Sequence, residues 1–510
     1  MAARIIVHGH FYQPPRENPW TGEIDSQPSA APAHDWNERV HEECYRPNAF
    51  ARTLFVEDAA SRVTSDGGDG DGSEPKERVV NNYERISFNV GPTLFQWMQE
   101  ADPETYARII DADRASAERL GHGNAIAQAY HHTILPLSPI RDVRTQVRWG
   151  LADFRHRFGR DAEGMWLPET AANDDVLQVL IEEGVHFTIL APNQALKWQK
   201  ADGEWLDTRV EPIDTRVPYR YLHRDGSGRS IAVFFYDGEL SRRIAFERLG
   251  SSAERFIDEF QHRWDSDEQV IHAATDGETY GHHHAFTDLG LAYALFVEAE
   301  RRGIEVTNYA AYLDAFPPER EAKIWSGEGT SWSCAHGVGR WIRDCGCQTG
   351  GQEGWNQRWR GPLREALDIL RRVADEAYER LGGALMTDPW GARDRYVEVV
   401  TGVTAIEDFL AREASRPVGE EEAHTMHDLL DLQVNAMSMY TSCGWFFSDI
   451  GGIETVQILR YAARTIELLE ALGQPTSEAA FIAALKRAKS NDLEKGTGAD
   501  IYLGITPASV

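Results

Sequence analysis

The chain has 510 residues, enough to bury a large core and to hold two or more domains. With 42% hydrophobic and 10% aromatic residues it is globular rather than disordered, and its apolar runs are far too short to span a membrane. An excess of 81 acidic over 52 basic residues gives a net charge of −29, which repels nucleic acid and anionic membranes and leaves neutral ligands such as sugars open.

The N-terminus moves directly into a predicted strand, Arg4 to His8, without the long apolar stretch of a signal peptide. That strand runs out into His10, Phe11, Tyr12, Gln13 and Pro14. The pattern then breaks between Glu57 and Lys76. There the run Ser65 to Ser73 is all Ser, Asp and Gly, and it reads as a mobile acidic surface insert. A calcium loop is the other reading, but the bidentate Glu it needs is not at the required spacing. Further predicted strands follow at Ile86 to Asn89 and Ala125 to Gln128, the latter leading into Tyr130, His131 and His132. A helical pattern covers Pro139 to Phe158. The short apolar run Gly164 to Leu167 then delivers Glu169 just after Pro168. Helices at Asn173 to Glu183 and Ser241 to Trp264 alternate with strands at Phe187 to Leu190, Ile231 to Tyr236 and Val270 to Thr275. Ile304 to Thr307 is a candidate eighth strand.

Strand–helix alternation argues for a parallel sheet with helices outside, and seven repeats favour a barrel over a doubly wound sheet. After about residue 315 helical periodicity takes over. Leu363 to Leu381, Tyr396 to Ala411 and Ala423 to Met439 are amphipathic, and Ile458, Tyr461, Ala462, Thr465, Leu468, Leu469 and Leu472 form one apolar face. The expected division is a barrel over 1–315 and a linker with a helical domain over 316–510.

Two strand ends carry the chemistry. Glu169 follows a Pro at one of them; its alternative role is to cap the helix beginning near Asn173. Asp276 and Glu278 flank Gly277 at the other, and the histidines His282 to His284 come just after. In barrels of parallel strands, active sites are built from C-terminal strand ends. Two carboxyl groups among aromatics are what glycoside hydrolysis requires. His10, His131 and His132 can hydrogen-bond sugar hydroxyls or, with Asp276, bind zinc. Trp332 and Trp341 are candidates to stack on sugar rings.

Cys334, His336, Cys345 and Cys347 resemble a zinc ligand set, but the usual Cys-x-x-Cys pairing is absent. They are read as buried free cysteines, and no metal or cofactor is expected. Five cysteines, an odd count in a long chain, fit a reducing cytoplasmic setting. The acidity is that of a solvated surface or of adaptation to high salt.

Gly164-Met165-Trp166-Leu167-Pro168-Glu169-Thr170 and Asp276-Gly277-Glu278-Thr279-Tyr280-Gly281 resemble the nucleophile and acid/base segments of glycoside hydrolase family 57. His10 to Pro14 is similar to that family's first motif, with Tyr12 in place of its second histidine. Ala127 to Thr133 is similar to a further motif. Ser442 to Phe447, which holds Trp445, is similar to the last, which closes the site from the C-terminal domain. The resemblance implies an incomplete (β/α)7 barrel with a helical domain. It also implies a retaining glycosidase or transglycosylase acting on α-linked glucan, with Glu169 as nucleophile and Asp276 as general acid/base. The expected substrate contacts are His10, Tyr12, Gln13, His131, His132, Trp166, Glu278, His282, Trp332 and Trp445. Two alternatives stay open: a zinc-dependent mannosidase or polysaccharide deacetylase using His8, His10, Asp276 and His282 to His284, and a non-catalytic glucan-binding protein.

Overall fold

The computed structural model describes residues 3–55 and 76–505, so the acidic run Ser65 to Ser73 lies outside the described residues. The seven expected strands are present: β1 (Arg4–Phe11), β2 (Ser87–Val90), β3 (Ala127–Gln128), β4 (Gly164–Trp166), β5 (Phe187–Leu190), β6 (Ser230–Phe235) and β7 (Val270–Asp276). β1 lies between β7 and β2, parallel to both. β3, β4, β5 and β6 pair in that order, again all parallel. Nearly every residue of β1 and β7 is buried, as a strand covered on both faces requires.

These strands do not form one continuous ladder. β7, β1 and β2 belong to one sheet and β3 to β6 to another. A single parallel bridge, Phe88 to Ala125, joins the two sheets. Just beyond β6, the Asp237 N–H donates to the carbonyl of His272 within β7 at 2.9 Å. The candidate eighth strand is the two-residue Glu305–Val306, which pairs with the start of β1. Beyond β6 the second sheet continues into Tyr219–Leu222, Arg320–Ile324, Ala195–Gln199 and Trp205–Asp207, largely antiparallel and not foreseen.

The outer helices Ile140–Phe158 and Asp174–Glu182 fall where periodicity placed them. The expected helix from Ser241 to Trp264 is instead two, Gly238–Phe246 and Ala253–Gln261, broken where Arg248 takes a left-handed φ of 55°. The expected helix from Tyr396 to Ala411 also divides, and Gly402 adopts φ 72° at the break. Long helices Arg360–Leu385, Glu420–Ser438 and Ile453–Ala471 pack around a second apolar core that holds Trp341, Trp359 and Trp445. Buried polar contacts tie this region to the outer helix Ile140–Phe158: Arg393 donates to Asp142 at 2.8 Å and to Thr145 at 2.7 Å. Among the described residues, no helix is long and apolar enough to cross a membrane.

Candidate active site

Parallel register builds the floor of the site. His10 on β1 sits beside Asp276 on β7 and beside Asn89 on β2. The row extends to β3, because Asn89 Nδ2 donates to Gln128 Oε1 at 2.7 Å. Asn89 Nδ2 also donates to His10 Nδ1 at 2.9 Å, so the proton of a neutral His10 lies on Nε2. That nitrogen meets His132 Nε2 at 3.1 Å, and His132 Nδ1 meets Ser442 Oγ at 2.6 Å. A directed chain of hydrogen bonds therefore runs from Asn89 to the C-terminal region. Burial holds His10 at about 3 and pushes His132 well below the usual histidine range, so both rings stay neutral. Tyr12 stacks on His132 with ring centroids 3.7 Å apart.

Glu169 is buried just beyond β4, and its backbone takes a left-handed φ of 57°; Thr170 follows at 48°. Consecutive left-handed residues with side chains, one of them β-branched, are strained, and such strain gathers at functional sites. The carboxylate is fixed through one oxygen. Oε2 accepts from Trp332 Nε1 at 3.0 Å and from Ser333 Oγ at 2.5 Å, while Oε1 accepts no hydrogen bond among the described residues. Burial raises the Glu169 pKa, and these two donors oppose the rise.

Asp276 ends β7. Protein surrounds it deeply, yet its side chain is open to water through the cavity it lines. Burial, then the charge of Glu278, then that of Glu169, raise its pKa well above the ordinary carboxylate range. Gly277 is needed next to it, because an added Cβ would lie 2.3 Å from the Phe11 ring. Glu278 Oε1 accepts from the Tyr12 N–H at 3.0 Å and from the Tyr45 hydroxyl at 2.5 Å. Burial pushes Glu278 up to about 7, against the pull of those bonds. Tyr45 belongs to a π-helical turn, His41–Tyr45, of a kind common at functional sites. Cys44 of the same turn donates its thiol to the Gly277 carbonyl at 3.4 Å.

Glu169, Asp276 and Glu278 line one cavity of about 560 Å³ together with His10, Tyr12, Gln13, His132 and His282. Four expected contacts are absent from its lining. His131 turns away from the cavity, with Nδ1 accepting from Gln146 at 2.8 Å and its ring against Trp149. Trp166 is buried behind the floor, stacked on His8 at 4.7 Å and His10 at 5.1 Å. Trp445 does not reach the site: it is fully buried in the helical core, where Nε1 donates to the Arg360 carbonyl at 3.3 Å. Its neighbours Cys443, Phe446 and Phe447 line the cavity instead. Trp332 acts through Glu169, holding the carboxylate rather than lining the cavity.

Sequence reasoning missed Arg16, Trp36 and Glu454, which also line the cavity. The buried Arg16, just after Pro14 and Pro15, was the one available signal for this wall. Among the described residues the ligand atoms of the catalytic-zinc set do not converge. His8 places its ring nitrogens on Ser87 at 3.1 Å and Asn89 at 3.2 Å, and His284 bonds the Ala245 carbonyl. Among the described residues, the group whose ligand atoms do converge is Cys334, His336, Cys345 and Cys347.

The family model for glycosyl hydrolase family 57 matches residues 7–324, and a domain of unknown function, DUF3536, matches 355–510. The chain belongs to glycosyl hydrolase family 57. A 4-alpha-glucanotransferase of Thermococcus litoralis is 22% identical over 252 residues, 48% of this chain and 35% of that enzyme. The chain spans about a quarter to a third of the length of the curated relatives it matches. An exo-type maltose-forming amylase from a Pyrococcus species is similar in structure, with a TM-score of 0.67 and 14% identity over 95% of this chain and 83% of that one. A branching enzyme of Pyrococcus horikoshii has a TM-score of 0.57 and 15% identity over 100% of this chain and 98% of its own. These likenesses establish a mixed α/β fold with a helical C-terminal region, as in enzymes of this family.

Proposed function

We propose that this chain is a retaining glycosidase or transglycosylase acting on α-linked glucan. The observation that carries the reading is that Glu169 and Asp276, from the ends of two different strands, face one cavity in different surroundings. Glu169 has two donors on Oε2 that favour its ionised form and leave Oε1 free to attack an anomeric carbon. Asp276 has no such donor and two carboxylates near it, and its pKa is raised well above the ordinary carboxylate range. In this reading Glu169 forms a glycosyl-enzyme while Asp276 protonates the leaving oxygen. Asp276 then takes a proton from water or from a sugar hydroxyl. In this reading the activities named for similar proteins, amylase, glucanotransferase and branching enzyme, differ in the acceptor that meets the same intermediate. We further read β1 to β7 as an incomplete (β/α)7 barrel within 1–315, with 316–510 closing the cavity through Cys443, Phe446, Phe447 and Glu454. The succession of seven parallel strands supports this.

The test is incubation with maltooligosaccharides and chromatography of the products. Glu169→Gln is expected to abolish turnover on every substrate, since no covalent intermediate can form. Asp276→Ala is expected to retain the first step on an activated aryl α-glucoside, and azide should restore its turnover to give an α-glycosyl azide. Equal loss in both variants that azide does not relieve would reject the assignment.

A further inference from the structure

Between Ile324 and Arg360 the chain has a single regular element, the one-turn 3-10 helix Gly339–Trp341. A loop of that length inside a compact fold needs something to hold it. Four ligand-bearing side chains meet within it. One ligand atom from each of Cys334, His336, Cys345 and Cys347 lies within 4.8 Å of all the others. The Cys334 sulfur is 3.8 Å from that of Cys345 and 3.8 Å from that of Cys347, and Cys347 Sγ is 3.5 Å from His336 Nδ1. A tetrahedral zinc ion, with Zn–S near 2.3 Å and Zn–N near 2.0 Å, sets its sulfurs about 3.8 Å apart and sulfur from nitrogen about 3.5 Å apart. Those edges match. A disulfide needs its sulfurs at about 2.05 Å, far closer than any pair here.

The surroundings favour an anionic cluster. Arg360 is fully buried, and its hydrogen bonds go to the carbonyls of Cys347, Phe446 and Phe447. Arg340 is buried too, bonding Thr349 Oγ1 and the carbonyls of Phe446 and Ser333. Among the described residues Arg360 forms no ion pair with a carboxylate, whereas the charge of Arg340 acts on Glu169. A buried cation without a counter-charge is costly, and Arg360 lies within the field of all three thiols. Three thiolates and a neutral imidazole on Zn²⁺ carry one net negative charge, which supplies the missing partner.

We propose that Cys334, His336, Cys345 and Cys347 bind one zinc ion in a closed tetrahedral site that pins the loop carrying Trp332 and Ser333. Cys334 directly follows Ser333, and Ser333 and Trp332 are the two donors on Glu169 Oε2. The ion is structural: all four positions are filled by protein, so none is left for water or substrate. Sequence spacing hid this site, because Cys345-Gly346-Cys347 has one intervening residue instead of two.

The full chain, grown with zinc and purified under reducing conditions, is expected to hold one zinc per chain by elemental mass spectrometry. Cobalt exchanged into the chain should show the intense visible bands of tetrahedral coordination and a thiolate charge-transfer band. The Cys345→Ser/Cys347→Ser double variant should lose the metal. The exposed His336→Ala, which puts little folding at risk, should bind zinc at least about tenfold more weakly. Chelation should lower Tm, and added zinc should restore it. The proposal is overturned by a wild-type chain that takes up no zinc under reducing conditions, by undiminished zinc in the double variant, by unchanged affinity in His336→Ala, or by recovery of these cysteines as a disulfide.

Discussion

Glu278 sets how firmly Asp276 keeps its proton, because its charge is the largest influence on that carboxyl after burial. Glu278→Gln removes the charge and still offers an acceptor to the Tyr12 N–H and the Tyr45 hydroxyl. The Asp276 pKa should then fall, and the alkaline limb of kcat/KM should move about one pH unit lower. The pH–rate profile of the variant measures this directly; an unmoved limb would remove Asp276 as the acid. The carboxylates and most cavity histidines were legible in the sequence because strand ends deliver them in order. His131 was not separable from His132 by sequence. The two are adjacent, and only the left-handed turn at His132, φ 54°, sends one into the cavity and the other onto Gln146. Tyr45 was illegible for another reason: its partner Glu278 is 233 positions away.

At the level of elements, β1 to β7 were readable as short apolar runs because strands buried on both faces have no polar alternation to confuse. The added strands Ala195–Gln199, Trp205–Asp207, Tyr219–Leu222 and Arg320–Ile324 mix exposed and buried positions and carry charges, so they pass for loop. The aromatic run Trp445-Phe446-Phe447 shows the limit of composition. The short helix Cys443–Phe446 turns Trp445 into the core and leaves Phe447 facing the cavity. Two variants separate the roles. Trp445→Ala should destabilise the fold by about 3–5 kcal/mol with KM little changed. Phe447→Ala should leave Tm near the wild-type value and raise KM by up to about tenfold, the worth of one aromatic contact. Thermal melts beside saturation kinetics decide this, and a reversed pattern would return Trp445 to the site.

For the whole molecule, buried histidines dictate the response to acid. His8, His10 and His131 are held at about 3 and His272 at about 4, against 6.5 when exposed, so between those values the unfolded chain binds more protons. Stability therefore rises with pH across that window. Glu278 has the opposite sign. Its folded value of about 7 exceeds the ordinary 4.5, so its effect is to lower stability as pH rises between the two. Four histidines outweigh one carboxyl, so Glu278 only reduces the slope, and Tm should fall as pH drops from about 6.5 toward about 4. His131→Gln, outside the cavity, should make the acid limb shallower without altering activity at neutral pH. A limb of unchanged slope in a pH series of melts would refute the histidine origin.

The buried contacts of Arg393 with Asp142 and of His132 with Ser442 carry a consequence for modularity. Each places one member in the strand region and one in the helical region. Cutting between the two would strand a guanidinium and an imidazole in apolar surroundings and remove a wall of the cavity. The helical part therefore cannot be exchanged as an accessory among relatives. Changes on one side of this seam have to be answered on the other, so the two parts should be inherited as a unit.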